Sequence, residues 1–232
     1  FTAHRSPFTV VAMKSTPHRL LRLGSCALLI LLTAPACAKA QENGGELKPL
    51  PAVPVLAVQA LAGKKVAVLP ITLVVADPLL QPDTVYAPYR DRRAALHRTD
   101  SLVSEALLGR GPEVDWVMPP ELRKMARRAA GFVPDPDQMG QAVLRAPNLK
   151  TIPDPLRSSL RSLLAIADGR LALVPAALGF GPEPNGEIRA DLSLVLGDVR
   201  TGKVLWRSLA LGRGKTPDQA LNAALATVLP GP

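Results

Sequence analysis

The chain has 232 residues, a length that suits a single domain, and its core must be aliphatic, because 47% of residues are apolar and only 3% aromatic. A net charge of +9 first suggests nucleic acid, but Arg5, Lys14, Arg19, Arg22 and Lys39 lie in the first 40 residues without one acid, leaving 23 bases against 19 acids; nucleic acid is therefore not an expected partner. Cys26 and Cys37 fall in that same stretch, which excludes a disulfide framework for the folded part.

Residues 1–12 read as an upstream extension, and residues 13–40 as a secretory signal. Lys14, Arg19 and Arg22 make a basic start, Leu23 to Leu32 an apolar segment too short to cross about 30 Å of hydrocarbon, and Thr33 and Pro35 break it. Two cleavage chemistries fit. Ala38-Lys39-Ala40 before Gln41 is a small-x-small peptidase site, while Ala34-Pro35-Ala36-Cys37 resembles a lipobox, which makes Cys37 a candidate for acylation and membrane anchoring. By either route the expected location is outside the cytoplasm, free in the periplasm or anchored to the inner or outer membrane and facing it.

Residues 41–63, rich in Pro and Gly, read as an extended tether, and residues 64–232 as a single α/β domain. Val66 to Ala76 predicts one strand buried on both faces. Pro78 to Tyr89 reads as loop. Arg92 to Leu108 predicts a helix burying Leu96, Leu102, Val103, Ala106 and Leu107, ended by Gly109 and Gly111. A short strand over 114–118 follows, then a helix from Pro119-Pro120-Glu121 to Gly131 and a short third helix over 136–144. Asp154-Pro155 opens a helix with Leu156, Leu160, Leu163, Leu164 and Ile166 inward, ending at Asp168-Gly169.

Strands over 170–180, 188–199 and 203–211 come next, the middle one alternating Ile188, Ala190, Leu192, Leu194 and Leu196 with Arg189, Asp191 and Ser193. Thr216-Pro217-Asp218-Gln219 is a capping box for a final helix. The expected fold is α/β (α+β): a mixed sheet of about five strands with helices packed on it, a C-terminal antiparallel meander and a terminal helix.

Chemistry-bearing motifs are scarce. Gly197 to Lys203 has the glycine and lysine spacing of a phosphate loop, but Val204 replaces its hydroxyl and a strand follows where a helix is required. Gly214-Lys215-Thr216 lacks the first glycine, where Leu209 stands, so Thr216 reads as a helix cap. His97 is the single histidine after the signal and reads as a helix-surface residue; no nucleophile elbow or metal helix accompanies it. Asp135 and Asp137 read as turn caps, and Arg123, Lys124, Arg127 and Arg128 as a solvated helix face. No catalytic residue, cofactor or metal is expected.

The most informative stretch is Asp198-Val199-Arg200-Thr201-Gly202-Lys203-Val204-Leu205-Trp206. It predicts a hairpin in which Gly202 takes positive φ and Trp206 reaches the helix-covered face of the sheet. The motif occurs once, whereas a propeller repeats it. Taken with Lys65-Val66-Ala67-Val68-Leu69-Pro70, Pro120-Glu121-Leu122 and Ala167-Asp168-Gly169, it resembles the bacterial envelope α/β domains of the TolB N-terminal, LpoB and CsgG group. The likeness spans about residues 64 to 229, with Asp198, Thr201, Gly202 and Trp206 as its anchors. It implies a periplasmic domain that binds other envelope proteins and is not an enzyme. The short turn over 181–186 leaves no room for pore hairpins, so pore formation is not implied. The expected function is an exported accessory or scaffold protein; an envelope enzyme with an unrecognised site is the alternative.

Overall fold

The computed structural model describes residues 49–229, so Cys37, the secretory signal and its cleavage sites lie outside the described residues. A mixed α/β fold is built around six strands, one more than expected, because the first apolar run forms two. β1 (Lys65–Val68) and β2 (Val74–Ala76) both run parallel to β4 (Leu171–Pro182), with Val66 beside Leu171 and Val74 beside Leu178. Pro70 has no N–H for a ladder and interrupts the run. Opposite the gap, β4 slips register between Pro175 and Ala177.

β3 (Asp115–Val117) pairs parallel with β1. β5 (Ile188–Asp198) and β6 (Lys203–Gly214) complete an antiparallel meander with β4, giving the order β3-β1-β4-β5-β6 with β2 also on β4. Helices cover both faces. α1 (Arg92–Arg110) and α4 (Pro217–Val228) pack with Val66, Val68, Leu173, Leu192 and Leu194 on one face. α2 (Pro119–Arg128) and α3 (Leu156–Ile166) pack with Ala67, Leu69, Val174 and Val195 on the other. Alternation along β5 serves the first core: Ile188, Ala190, Leu192, Leu194 and Leu196 are all buried.

Local chemistry sets the helix ends. Asp91 accepts the Ala94 N–H at 2.7 Å to open α1, and Thr216 accepts the Gln219 N–H at 3.2 Å to open α4, while the Gln219 side chain accepts from the Lys215 N–H at 3.1 Å. The last contact moves the capping box one residue outward from Thr216. Against α4, β6 presents Gly212: a methyl there would meet the Ala224 N at 2.1 Å, so only glycine permits this approach.

Four local expectations are corrected. Pro78–Leu80 and Thr84–Tyr89 are 3-10 turns rather than open loop, and the second buries Tyr86 and Tyr89 edge-on to Phe180, with centroids 5.8 and 5.0 Å away. The third helix is replaced by two 3-10 turns, Pro136–Gln138 and Gln141–Arg145. In α3, Ile166 points outward and is 39% exposed, since it falls past the last buried turn at Leu163 and Leu164. In α1, Ala95, Thr99 and Asp100 are buried with Val103 and Leu107, while Leu96, Leu102 and Ala106 are half-buried.

Leu56, Val58 and Leu61, from the stretch read as tether, are buried in the first core, and the Leu56 N–H donates to the Val228 carbonyl at 2.9 Å. Among the described residues no helix is long and apolar enough to cross a membrane.

Candidate functional site

At the β5–β6 hairpin, the structure brings together Asp198, Thr201 and Gly202. Asp198 is buried; its Oδ1 accepts the Arg200 and Thr201 N–H groups at 3.0 and 3.2 Å, and its Oδ2 takes the Arg170 guanidinium at 3.0 and 2.5 Å. The Arg170 hydrogen bond, assisted by the Thr201 amide and opposed by burial, holds the Asp198 carboxyl well below the usual carboxylate range. Gly202 has φ +75°, donates to the Asp198 carbonyl at 2.7 Å and accepts from the Ile152 N–H at 2.8 Å. A Cβ there would also come within 2.7 Å of the Arg157 Nε.

Trp206 stands opposite Leu196, half-buried against the first core, and its indole nitrogen is buried without a hydrogen-bond acceptor. Leu205 is the extra residue at a register shift, 53% exposed. With Leu61 and Leu171 it lines a concavity of about 670 Å³ whose polar rim is the Lys65–Asp168 and Arg170–Asp198 pairs.

A second cluster, not anticipated from the sequence, lies where α1 and α2 meet the carboxyl end of β1. Asp100 is 6% exposed. It accepts the Ile71 N–H at 2.8 Å and the Arg123 guanidinium at 2.6 Å, and Arg123 extends to Asp137 at 2.7 Å. Burial pushes the Asp100 carboxyl above its ordinary range, although the Ile71 amide and Arg123 both favour its charged form. Arg123 therefore does not belong to the solvated face expected of it. Asp100 occupies a position of the α1 stripe between Leu96 and Val103, and an acid there needs a buried partner; that was the available signal.

A cleft of about 710 Å³ opens beside this pair, lined by Arg92, His97, Arg123, Arg127, Asp135 and Asp137 among others. Open α/β sheets bind ligands at such strand ends. The chemistry, however, is already committed. Both Asp100 oxygens are engaged, and the Ser101 hydroxyl donates to the His97 backbone carbonyl at 3.0 Å rather than to its ring. Asp135 accepts the Asp137 N–H at 3.0 Å as a turn cap. Among the described residues no three His, Cys, Asp or Glu side chains converge to hold a metal ion.

The third region is the part of the sheet that α2 and α3 leave uncovered. Arg189, Asp191, Ser193, Arg207, Leu211 and Arg213 are half-buried there and Leu209 is 51% exposed. Glu183 pairs with Arg189 and Arg213 at 3.4 and 3.5 Å, and Arg189 with Asp191 at 3.0 Å. Pro49, Leu50 and Pro51 border the same shallow concavity. β6 ends the sheet: its start is held by Lys150, whose carbonyl accepts the Val204 N–H at 2.9 Å, but from Leu205 to Gly214 no strand pairs with its outer edge among the described residues.

No family profile and no curated protein sequence matches the chain. Among solved structures it is similar to a PelC dodecamer from Paraburkholderia phytofirmans, at 18% identity and a TM-score of 0.38 over 76% of this chain and 90% of that one. It is also similar to Escherichia coli LpoB, at 15% identity and a TM-score of 0.36 over 90% and 96% of the two chains. A third is lipoprotein GNA1162 from Neisseria meningitidis, at 17% identity and a TM-score of 0.32 over 65% and 80%. Of the three groups that the sequence motifs resemble, LpoB is represented in these structures.

Proposed function

We propose that the protein is an exported cell-envelope accessory or scaffold protein that captures an extended segment of another envelope protein on the outer edge of β6, without catalysing a reaction. The observation that carries this is the edge itself. β6 is 12 residues long, and along its last ten the outer edge has no partner strand among the described residues, beside the half-covered face bearing Leu209 and Leu211. A peptide added there would gain main-chain hydrogen bonds from the edge and side-chain contacts from the face. The basic, apolar and small-residue order of residues 13–40 supports export, with Cys37 as the proposed lipid anchor and the part of the 41–63 stretch that precedes buried Leu56 as the proposed reach between membrane and domain. An enzymatic reading centred on Asp100 would need that carboxyl free to exchange a proton with a substrate, and both its oxygens are engaged.

A photo-crosslinking residue at Leu209, compared with one at exposed Arg161 on α3, tests the reading in the native envelope. Adducts to a protein at Leu209 and none at Arg161 are expected. Equal labelling at both positions, or none at Leu209, would overturn the β6 edge as the contact. Mass measurement of the mature chain should find Gln41 or an acylated Cys37 at its start; an intact Met13 on cytoplasmic protein would remove the export proposal.

A further inference from the structure

α2 has two chemically distinct sides. Leu122 and Ala126 are buried, with Met125 half-buried beside them. Lys124, Arg127 and Arg128, three and four residues apart, stand together on the opposite side and are exposed. Among the described residues no ion pair involves any of these three. Of the nearby acids, Asp137 is bound by Arg123 and Asp135 caps a turn; Glu121, one turn before Lys124, is exposed on the same side and offsets one of the three charges without an ion pair to any of them among the described residues.

The chain leaves α2 through a turn closed by hydrogen bonds. Gly131 takes φ +88°, and the N–H groups of Phe132 and Val133 both donate to the Ala129 carbonyl, at 3.0 and 3.2 Å. Val133 packs toward the second core. Phe132 is held outward, 89% exposed, the most exposed large apolar side chain among the described residues.

We propose that the exposed side of α2 and the Phe132 turn form a docking surface for an anionic lipid bilayer. A protein interface built on one aromatic anchor surrounds it with contacts that exclude water, and the turn residues beside Phe132 are only Ala130 and Gly131. A lone ring on the turn that follows a helix side with three cations and one acid matches a bilayer surface instead: the ring enters at headgroup depth, and the ammonium and guanidinium groups meet lipid phosphates. This surface shares no residue with the β6 edge and operates whether or not Cys37 is acylated.

Full-chain protein carrying Phe132→Trp tests the idea, because emission from position 132 reports entry of that side chain rather than attachment of the chain by another segment. Trp116 is buried and Trp206 half-buried, and both add constant background. Vesicles of phosphatidylcholine with about a third phosphatidylglycerol should shift the emission to shorter wavelength and allow quenching by brominated acyl chains, an effect that salt at about 1 M suppresses. Replacing Lys124, Arg127 and Arg128 together by Gln should weaken vesicle affinity roughly a hundredfold, at about fivefold per cation. An unshifted emission with acidic vesicles, or an equal shift with pure phosphatidylcholine, would overturn the proposal. A shift produced by polyglutamate but not by acidic vesicles would assign the surface to an acidic protein and overturn it as well.

Discussion

Asp198 and Asp100 are both buried aspartates paired with an arginine, yet their acidities move in opposite directions. At the hairpin, Arg170 and the turn amides outweigh burial, and the carboxyl is driven down. In the α1–α2 cleft burial outweighs Arg123 and the Ile71 amide, and the carboxyl is driven up. The same residue pair is thus a turn clamp in one place and a buried tie between layers in the other. What decides is depth: Arg170 is 57% exposed in its side chain, Arg123 only 13%.

The largest expected effect breaks the deeper tie. Arg123→Ala leaves Asp100 buried without its cation and should cost about 3–5 kcal/mol in chemical denaturation. A near-wild-type midpoint would show that Asp100 finds water or its proton at no cost, and the contrast between the two sites would collapse. Trp206→Ala, on the hairpin side, should cost about 2–3 kcal/mol, since the ring is half rather than fully buried; a change within about 0.5 kcal/mol would mean that its packing contributes nothing. Gly202→Val should cost about 2 kcal/mol, because a β-branched side chain must take φ +75° and displace Arg157. Unchanged stability there would remove the hairpin as a conformational constraint.

The smallest effect is the sharpest test of the comparison. The depressed Asp198 adds stability that is complete above about pH 4 and fades as pH falls below it. The raised Asp100 acts in reverse, because the native state holds its proton more tightly than the unfolded chain and stability falls as pH climbs past about 4. Denaturation between about pH 7 and pH 3 should therefore show a smaller acid loss in Asp198→Asn and a larger one in Asp100→Asn than in the parent. Slopes that change in the same direction would contradict the opposed shifts.

The meander was legible because alternation is a local signal: Ile188 to Leu196 announces its buried face without knowledge of any partner. The helices were legible from apolar spacing and, for α4, from the Thr216 cap, whereas the Asp91 cap of α1 emerged only in the structure. What was not legible depends on residues distant in sequence. Arg123 reads as one more cation in a basic run until Asp100, 23 residues earlier, is placed beside it. Tyr86 and Tyr89 sit among turn formers and are claimed for the core only by Phe180. The break at Pro70 was visible as a proline, but that the chain would resume as β2 on the same partner strand depends on the slip near Pro175, which has no sequence periodicity.

The sheet order also has a consequence for the sequence of events in folding. β4, β5 and β6 each contact the element that follows them along the chain, ending with α4 on β6, whereas β1 reaches β4 only after a loop of roughly 100 residues closes. Assembly is expected to begin in the C-terminal half, with the N-terminal strands docking afterwards on a meander that already exists. A chain delivered N-terminus first would then expose Val66 to Ala76 until its last 60 or so residues arrive. Pulse-labelling hydrogen exchange during refolding should find the β5 and β6 amides protected before those of β1; the opposite order would place the nucleus elsewhere.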